Sequence, residues 1–351
     1  MKISMSGPDS YYTPSSLADK LISFISSTRI TRAADFCVGD GDLLKAVSKR
    51  YSTAELFGTD ISDDALAKLS KDCPDWHLGI CDFKNDESVA NVDFLKEDLF
   101  DLVVLNPPFT CKGSSVERIN FEGVDYHVST AMLFLLRALK FLTQDGGLYA
   151  ILPISCVYSV KDSKAWAYLK EHYNACILDE PNRVSFTSRC APNIVLVYVG
   201  HYAVAGVKER ESFSFRSLHV TSIVRGSVRM QNLKYRKSKE SVPLIHTTNL
   251  QKGKLLNLRR IVIEQNSVVK GNGVVIPRVC NPNPGKVALL DEDVQYALSD
   301  CIIVLQTVTQ KEAEILRDKI LENWSDFVSV YKGTGAQYTT LERLKCLFCC
   351  K

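Results

Sequence analysis

The segment spanning residues 33–51 limits the possible folds of this chain more than any other. Residues 33–36 form a short, mostly apolar run, residues 37–42 contain two glycines, and the residues from Leu43 onward have the spacing of a helix. A strand that enters a helix through a glycine-bearing loop is typical of the first unit of a parallel α/β sheet. The pattern therefore predicts an α/β fold with a ligand-binding loop after its first strand.

The composition of that loop narrows the ligand. Gly39 and Gly41 let the backbone approach a ligand that a Cβ atom would exclude, but the third glycine of the dinucleotide-binding spacing is missing. Asp35, Asp40 and Asp42 make the loop acidic. Acidic groups disfavour the pyrophosphate of NAD and favour a ligand that carries an ammonium and a sulfonium group.

Two further apolar runs end in acids. Residues 56–61 predict a second strand that ends near Asp60, and residues 77–83 predict a third strand that leads to Asp82 and Phe83. A carboxylate at the end of the second strand can accept hydrogen bonds from the hydroxyls of a ribose. An acid with an aromatic neighbour suits the edge and face of an adenine.

Residues 101–109 combine a buried strand with an unusual turn. Val103, Val104 and Leu105 predict the strand, and the following sequence is Asn106-Pro107-Pro108-Phe109. The two prolines fix the backbone and have no N–H group, so the carbonyls of Asn106 and Pro107 are rigidly directed. The amide oxygen of Asn106 and the carbonyl of Pro107 can accept the two hydrogens of an exocyclic amine, while Phe109 stacks on its ring.

The rest of the first 200 residues predicts further elements of one sheet. Residues 17–25 have the spacing of an amphipathic helix, with Thr13 as its N-cap and Pro14 at its first position. We expect a loop over the substrate at residues 110–125, a buried helix at 131–142, a turn at 144–147, a strand at 148–153, a helix at 166–173 and a last strand at 193–198.

These motifs resemble the S-adenosylmethionine-dependent N6-adenine methyltransferases. The Asn-Pro-Pro-Phe turn resembles their motif IV, the Thr13-Pro14 helix start resembles motif X, and the three strand ends resemble motifs I, II and III. The motif order is similar to that of the gamma class of DNA methyltransferases, over roughly residues 11–200. One departure is Phe36, which stands where the family often has proline.

The resemblance implies a Rossmann-like class I methyltransferase domain at residues 1–205, with S-adenosyl-L-methionine as cofactor and no metal. The implied catalytic residues are Asn106, Pro107, Pro108 and Phe109, and Phe186 resembles the motif VIII aromatic that packs on the other side of the target base. The implied cofactor-binding residues are Tyr12, Thr13, Pro14, Asp35, Phe36, Gly39, Gly41, Asp60, Ile61, Asp82 and Phe83.

The C-terminal half differs in charge from the N-terminal half. Residues 1–200 contain 20 Lys+Arg against 26 Asp+Glu, and residues 201–351 contain 23 against 14, which gives net charges of −6 and +9. A basic half indicates a polyanionic partner, although a solvated linker would also explain the basic run at residues 208–239. The DNA-binding residues that we expect in this run are Arg225, Arg229, Lys234, Arg236 and Lys237.

Short β runs at residues 261–263, 273–278, 287–290 and 301–305 precede a helix at residues 311–323. The segment at residues 331–341 looks like the closing part of target-recognition domains in gamma-class enzymes and in type I specificity subunits. The resemblance therefore implies a smaller, mixed α+β DNA target-recognition domain at residues 206–351.

The resemblance therefore implies a site-specific DNA adenine-N6 methyltransferase of a restriction-modification system. Its expected partners are double-stranded DNA and a separate restriction endonuclease or specificity subunit. The expected location is the cytoplasm of a bacterium or archaeon, or of a phage-infected cell, with no membrane partner. The alternatives are N4-cytosine methylation, methylation of an RNA base, methylation of a protein glutamine, and a DNA-binding subunit that needs a partner.

Overall fold

The computed structural model describes residues 13–96, 99–108, 116–159, 161–180, 193–202, 213–232, 241–262, 268–333 and 336–348. The chain divides into two compact units, Met1–Lys208 (unit 1) and Glu209–Lys351 (unit 2).

Unit 1 is an α/β unit. Its strands are β1 Arg32–Asp35, β2 Glu55–Asp60, β3 His77–Ile80, β4 Phe100–Leu105, β5 Glu117–Phe121, β6 Val124–Val128, β7 Leu142–Pro153, β8 Cys176–Asp179 and β9 Ile194–Gly200. Its helices are α1 Ser15–Ser23, α2 Asp42–Arg50, α3 Asp63–Asp72, α4 Asp86–Ala90, α5 Thr130–Ala138, α6 Ser155–Tyr158 and α7 Ser163–His172.

The main sheet of unit 1 has the strand order β3-β2-β1-β4-β7-β9-β8. Strands β3, β2, β1, β4 and β7 pair in parallel, whereas β9 runs antiparallel to β7 and β8. The chain moves from β1 outward to β3 and then returns to β4 on the opposite side of β1. A topological switch point therefore lies between β1 and β4, where open α/β sheets bind their ligands.

Apolar residues of the strands and of the helices form one core in unit 1. Val103, Val104 and Leu105 of β4 are fully buried, and α5 is buried on nearly all sides. Helix α1 packs with Leu17, Leu21 and Ile22 toward the core. The predicted strands at the motif positions, the buried helix and the predicted Rossmann-like fold are confirmed.

Three local predictions are wrong. Helix α1 begins at Ser15 with Pro14 as its N-cap, so Thr13 lies one residue before the cap. Pro14 has a helical φ of −56° but an extended ψ of 135°, and its carbonyl accepts from the N–H groups of Leu17 and Ala18. The hydroxyl of Thr13 has another partner, which is described below.

The predicted turn at residues 144–147 is part of a strand. β7 continues from Leu142 to Pro153, and the stretch from Leu142 to Gly147 bulges opposite Phe100 and Leu102 of β4. A Cβ atom at Gly146 would lie 2.8 Å from the carbonyl oxygen of Phe100. Gly146 therefore allows the bulge to approach the neighbouring strand, and in the sequence such a glycine looks like part of a turn.

The predicted loop at residues 110–125 is described only from residue 116 onward, and this part forms most of a hairpin, while residues 110–115 lie outside the described residues. β5 and β6 pair antiparallel, and Glu122 and Gly123 take the left-handed φ values of 49° and 80° that a tight hairpin turn requires. The Glu122 carboxylate accepts hydrogen bonds from the hydroxyls of Tyr168 and Tyr173, one on α7 and one just after it. These bonds fix the tip of the hairpin on the unit.

Unit 2 is a mixed unit, rich in short strands. These are β10 Ser222–Arg225, β11 Val242–Ile245, β12 Leu250–Gln251, β13 Lys254–Leu255, β14 Arg259–Ile261, β15 Val268–Val269, β16 Gly273–Pro277, β17 Ala288–Leu289, β18 Tyr296–Leu298 and β19 Ile302–Gln306. Its helices are α8 Gln310–Glu322, α9 Trp324–Val328 and α10 Leu341–Phe348.

Two sheets of four strands organise unit 2, in the orders β10-β19-β16-β17 and β14-β11-β18-β15. Helix α8 starts with a capping box between Thr309 and Glu312 and packs Leu316 and Ile320 against the first sheet. The predicted strands at residues 273–278, 287–290 and 301–305 and the predicted helix are confirmed within one residue, and so is the mixed α+β class. The predicted strand at residues 261–263 shares only Ile261 with β14, and residue 263 lies outside the described residues. Among all described residues, no helix is both long and apolar enough to cross a bilayer.

Candidate active site

The polar residues at the strand ends of unit 1 lie along one edge of the sheet. Asp35 closes β1, Asp60 closes β2 and Asn106 follows β4, and these strands run in parallel. A cleft opens at the switch point between β1 and β4. Its lining residues are Thr13, Asp35, Cys37, Val38, Gly39, Asp40, Asp42, Leu43 and Asn106.

Glycine is required at the two loop positions for different structural reasons. Gly39 has a φ of +51°, and a Cβ atom there would meet nothing within 4 Å, so its backbone faces open space. Gly41, the N-cap of α2, has a φ of +78°, and a Cβ atom there would lie 2.8 Å from Leu69 Cδ1. Gly39 therefore leaves room for a ligand, whereas Gly41 leaves room for the protein itself.

Asp60 organises the loop from the neighbouring strand. Its Oδ2 accepts from the backbone N–H of Gly39 at 2.9 Å and its Oδ1 accepts from the N–H of Ser62 at 2.9 Å. A carboxylate has about four acceptor positions, so two remain for ligand hydroxyls. The next residue, Ile61, is 65% exposed and offers an apolar surface beside them.

Asp35 is a buried acid at the base of the cleft. It is only 2% exposed, and its Oδ1 accepts from the backbone N–H of Cys37 at 3.0 Å. Desolvation raises the pKa of Asp35 to about 7, although the Cys37 hydrogen bonds act against this rise. A cationic ligand group would favour the ionised form of Asp35, so this site suits an ammonium or sulfonium.

Cys37 connects the loop with the turn after β4. Its thiol lies 3.5 Å from Asp35 Oδ1, and its sulfur accepts from the backbone N–H of Asn106. Burial and the nearby Asp35 raise the pKa of the Cys37 thiol well above its ordinary value. The thiol therefore stays protonated and acts as a link between two loops rather than as a nucleophile.

Two predicted cofactor residues lie beneath the cleft rather than in it. The rings of Phe36 and Phe83 stack with centroids 4.6 Å apart, and each residue is 1% exposed. Phe36 also contacts Phe100 edge-on, which explains how the core accommodates an aromatic at this position. Asp82 is partly buried, and its Oδ1 accepts from the N–H of Lys84 at 3.1 Å. A cofactor contact for these three residues stays a prediction.

The Asn106 amide is held by a hydrogen bond to Thr13, which also lines the cleft. Its Nδ2 donates to Thr13 Oγ1 at 2.9 Å across 93 residues of sequence. Its Oδ1 is buried and has no hydrogen-bond partner in the part of the chain that the structure describes. An acceptor that is ready but unpaired, at the end of β4, suits a substrate that donates from nitrogen.

The structure brings Thr13, Asp35, Gly39 and Asn106 together around one cleft. Other predicted site residues fall outside the described residues, and these are Tyr12, Phe109, Phe186, Lys234, Arg236 and Lys237. In unit 2, Arg225 and Arg229 are both exposed, and Arg225 Nε donates to the Asp300 carbonyl at 3.4 Å.

The predicted site did not include Cys37, Val38 or Leu43, which also line the cleft. Their sequence signal is position alone, since they flank Gly39 and Gly41 in the loop. Asp40, which we treated only as a loop charge, accepts a hydrogen bond from Lys68 Nζ at 3.1 Å. Neither the chemistry of these side chains nor their spacing in the sequence identifies them as cleft residues, because the folded loop decides which residues line the cleft.

Comparison with known proteins agrees with this architecture. The family model "Methyltransferase small domain" matches residues 16–160, which is less than half of the chain. The ribosomal protein uL3 glutamine methyltransferase of Xanthomonas campestris is 33% identical over 94 residues, 24% of this chain and 27% of that protein. The rRNA N(6)-adenosine-methyltransferase metl-5 of Caenorhabditis elegans is 25% identical over 163 residues, 45% of this chain and 70% of that protein.

Solved structures superpose partially on the chain. The methyltransferase subunit of a type I restriction-modification system from Streptococcus thermophilus has a TM-score of 0.43 at 17% identity, covering 54% of this chain and 45% of its own. The chain spans about a quarter of the Xanthomonas relative and 40% of a second uL3 glutamine methyltransferase, from Francisella tularensis. The family match and the strand order support a methyltransferase domain at residues 16–160, and its cofactor is S-adenosylmethionine.

Proposed function

We propose that this chain is a site-specific DNA methyltransferase that modifies adenine at N6 and serves as the modification enzyme of a restriction-modification system. The observation that carries the proposal is the Asn106 amide, whose Nδ2 donates to Thr13 and whose Oδ1 has no hydrogen-bond partner among the described residues. An exocyclic NH2 group is the complementary donor.

The residues of the turn would position that amine. Asn106 Oδ1 and the Pro107 carbonyl accept its two hydrogens, which directs the nitrogen lone pair toward the cleft. Pro108 keeps the turn rigid, and Phe109 and Phe186 stack on the two faces of the base. A duplex base must leave the stack to reach such a site, at a cost of a few kcal/mol.

The cleft residues would hold the cofactor. When bound, S-adenosylmethionine supplies an electrophilic methyl group on a positively charged sulfur. Asp60 would bind the ribose hydroxyls, Ile61 would pack on the adenine and Asp35 would balance the positive charge. Gly39 would allow the backbone to approach the cofactor closely. The remaining contribution of the protein is to position the amine in line with the methyl group, which requires neither a metal nor a covalent intermediate.

Unit 2 would bind the DNA. Its charge supports this role, because residues 209–351 contain 22 Lys+Arg against 14 Asp+Glu. Arg225 and Arg229 are exposed and available to phosphates. The likeness of residues 331–341 to the closing segment of target-recognition domains supports sequence-specific binding.

A second candidate is N6 methylation of adenosine in ribosomal RNA. The similarity to the rRNA N(6)-adenosine-methyltransferase metl-5 favours it, since that match covers 45% of this chain. The same turn would receive the same amine, so the two candidates differ only in the nucleic acid. A glutamine amide is a further NH2 donor, but that reaction gives no role to a basic unit 2.

A transfer assay separates these candidates. Purified protein is incubated with deuterated S-adenosylmethionine and, separately, with unmethylated genomic DNA, ribosomal RNA and ribosomal proteins, and the products are identified by mass spectrometry after digestion. The proposal predicts deuterated N6-methyldeoxyadenosine in the DNA and none with Asn106→Ala, while Asn91→Ala, at an exposed position, keeps activity. Labelled RNA or glutamine without labelled DNA would overturn the choice of substrate.

A further inference from the structure

Thr13 lines the cofactor cleft and also makes a hydrogen bond to Asn106, which cofactor binding alone would not require. Its Oγ1 accepts from Asn106 Nδ2 at 2.9 Å, and Thr13 is 9% exposed. Because Pro14 is the N-cap and its carbonyl receives the first N–H bonds of α1, the Thr13 hydroxyl is not used for capping. The hydroxyl is therefore available to the residue after β4.

We propose that Thr13 is a positioning residue that holds the Asn106 side chain in place at the cleft. A threonine hydroxyl can accept from the Nδ2 of an asparagine or donate to its Oδ1, so the bond to Thr13 restrains the position of the amide. In the observed orientation Nδ2 faces Thr13, and Oδ1 is the end without a partner among the described residues.

The opposite orientation would defeat the reaction. With the amide rotated by 180°, the Thr13 hydroxyl would donate to Oδ1, and Nδ2 would take the place of the acceptor. An N–H donor cannot accept from the amine of a substrate, so the amine would lose one of its two fixing contacts. In the productive orientation Oδ1 is buried without a hydrogen-bond partner among the described residues. The substrate amine can donate to Oδ1 and not to Nδ2, so its binding stabilises this orientation.

The contact between Thr13 and Asn106 also connects the cofactor cleft with the turn that would receive the substrate amine. Thr13 and Asn106 both line the cleft, and Asn106 is held a second time through its backbone N–H on Cys37. The side chain and the backbone of Asn106 are thus fixed by residues that precede α1 and α2. Loss of the Thr13 hydroxyl should release the side chain while the backbone stays in place.

This inference rests on the proposed function, and its kinetic test uses the full chain. Thr13→Val removes the hydroxyl with little change of shape, whereas Thr13→Ser keeps it. At saturating S-adenosylmethionine and DNA we expect kcat of Thr13→Val to fall about 3- to 10-fold, which is the effect of one ordinary hydrogen bond. We expect Thr13→Ser to stay within about twofold of the unchanged protein by the same reasoning.

A second readout does not depend on activity. With asparagine labelled by nitrogen-15, the hydrogens of the Asn106 side-chain amide should exchange slowly in the unchanged protein and in Thr13→Ser, and faster in Thr13→Val. Asn106→Ala assigns the signal. Thermal unfolding of each variant separates loss of the hydrogen bond from loss of the fold.

Three results would overturn the positioning role. The first is a Thr13→Val variant that binds S-adenosylmethionine more weakly but keeps kcat, because Thr13 would then be a cofactor ligand only. The second is an equal kcat loss in Thr13→Ser, and the third is unchanged exchange of the amide hydrogens. If the unchanged protein methylates a different amine, the proposed function fails. The kinetic comparison then tests Thr13 with that amine as substrate, and the amide-exchange comparison tests Thr13 without any substrate.

Discussion

At the scale of single residues, the fold places Asp35 where its charge is costly. Burial raises the pKa of Asp35 to about 7 from 3.8, whereas an aspartate in an unfolded chain has a pKa of about 3.9. Between these values the folded protein holds a proton that the unfolded chain has released. The stabilisation from this proton is complete below about pH 4 and is lost as the pH rises to about 7.

Replacement of Asp35 by asparagine tests this linkage. For Asp35→Asn we expect the free energy of unfolding, relative to the unchanged protein, to increase between about pH 4 and pH 7, by at most ~1.4 kcal/mol per pH unit, and then to level off. Urea unfolding at a series of pH values measures the difference. Asp63→Asn, at an exposed position on α3, is the control. A difference between Asp35→Asn and the unchanged protein that is independent of pH would contradict the raised pKa.

At the scale of elements, the loop between β1 and α2 contains one glycine that we expect to serve cofactor binding and one that serves packing of the fold. Gly39→Ala adds a methyl group toward open space, whereas Gly41→Ala adds one 2.8 Å from Leu69 Cδ1 and 3.0 Å from Trp76. Both positions have positive φ, which costs roughly 1–2 kcal/mol for a residue with a Cβ atom.

We therefore expect the two alanine variants to fail in different ways. Gly39→Ala should lose affinity for S-adenosylmethionine with a modest loss of stability, and Gly41→Ala should lose more stability because its methyl group also clashes with the core. Calorimetric titration with the cofactor and thermal unfolding measure the two effects. Equal destabilisation of both variants, with equal cofactor affinity, would show that neither glycine faces the ligand.

The sequence predicted the elements of unit 1 where one chemical signal dominated. The apolar run before Asn106 and the acids after the strands specify β4, β2 and the edge of the cleft, because strand periodicity and strand-end chemistry are local. The bulge at Gly146 and the hairpin at Glu122 escaped prediction, because a close approach to Phe100 and two tyrosine partners decide them. The bond from Asn106 to Thr13 likewise joins residues 93 positions apart.

At the scale of the whole molecule, the chain has an acidic unit 1 and a basic unit 2. If unit 2 binds DNA, each phosphate contact contributes about 0.9 to the slope of log affinity against log salt concentration. Replacing Arg225 and Arg229 together by glutamine should therefore weaken binding and reduce that slope by up to roughly 2.

Fluorescence anisotropy with duplex DNA at several salt concentrations measures this change. The matched control is the replacement of Lys71 and Lys164, two exposed lysines of unit 1, by glutamine, which we expect to leave the slope nearly unchanged. An unaltered slope in the arginine variant would show that Arg225 and Arg229 form a solvated surface and do not contact phosphates.

The central claim, adenine methylation in DNA, is tested most directly by reading modified bases. The protein and its Asn106→Ala variant are expressed in a host that lacks DNA methylation, and the genomic DNA is sequenced by a method that detects modified bases. We predict N6-methyladenine in one short sequence motif with the unchanged protein and none with Asn106→Ala. Soluble protein with unmodified DNA, together with new N6-methyladenosine in the ribosomal RNA of the same cells, would contradict the claim.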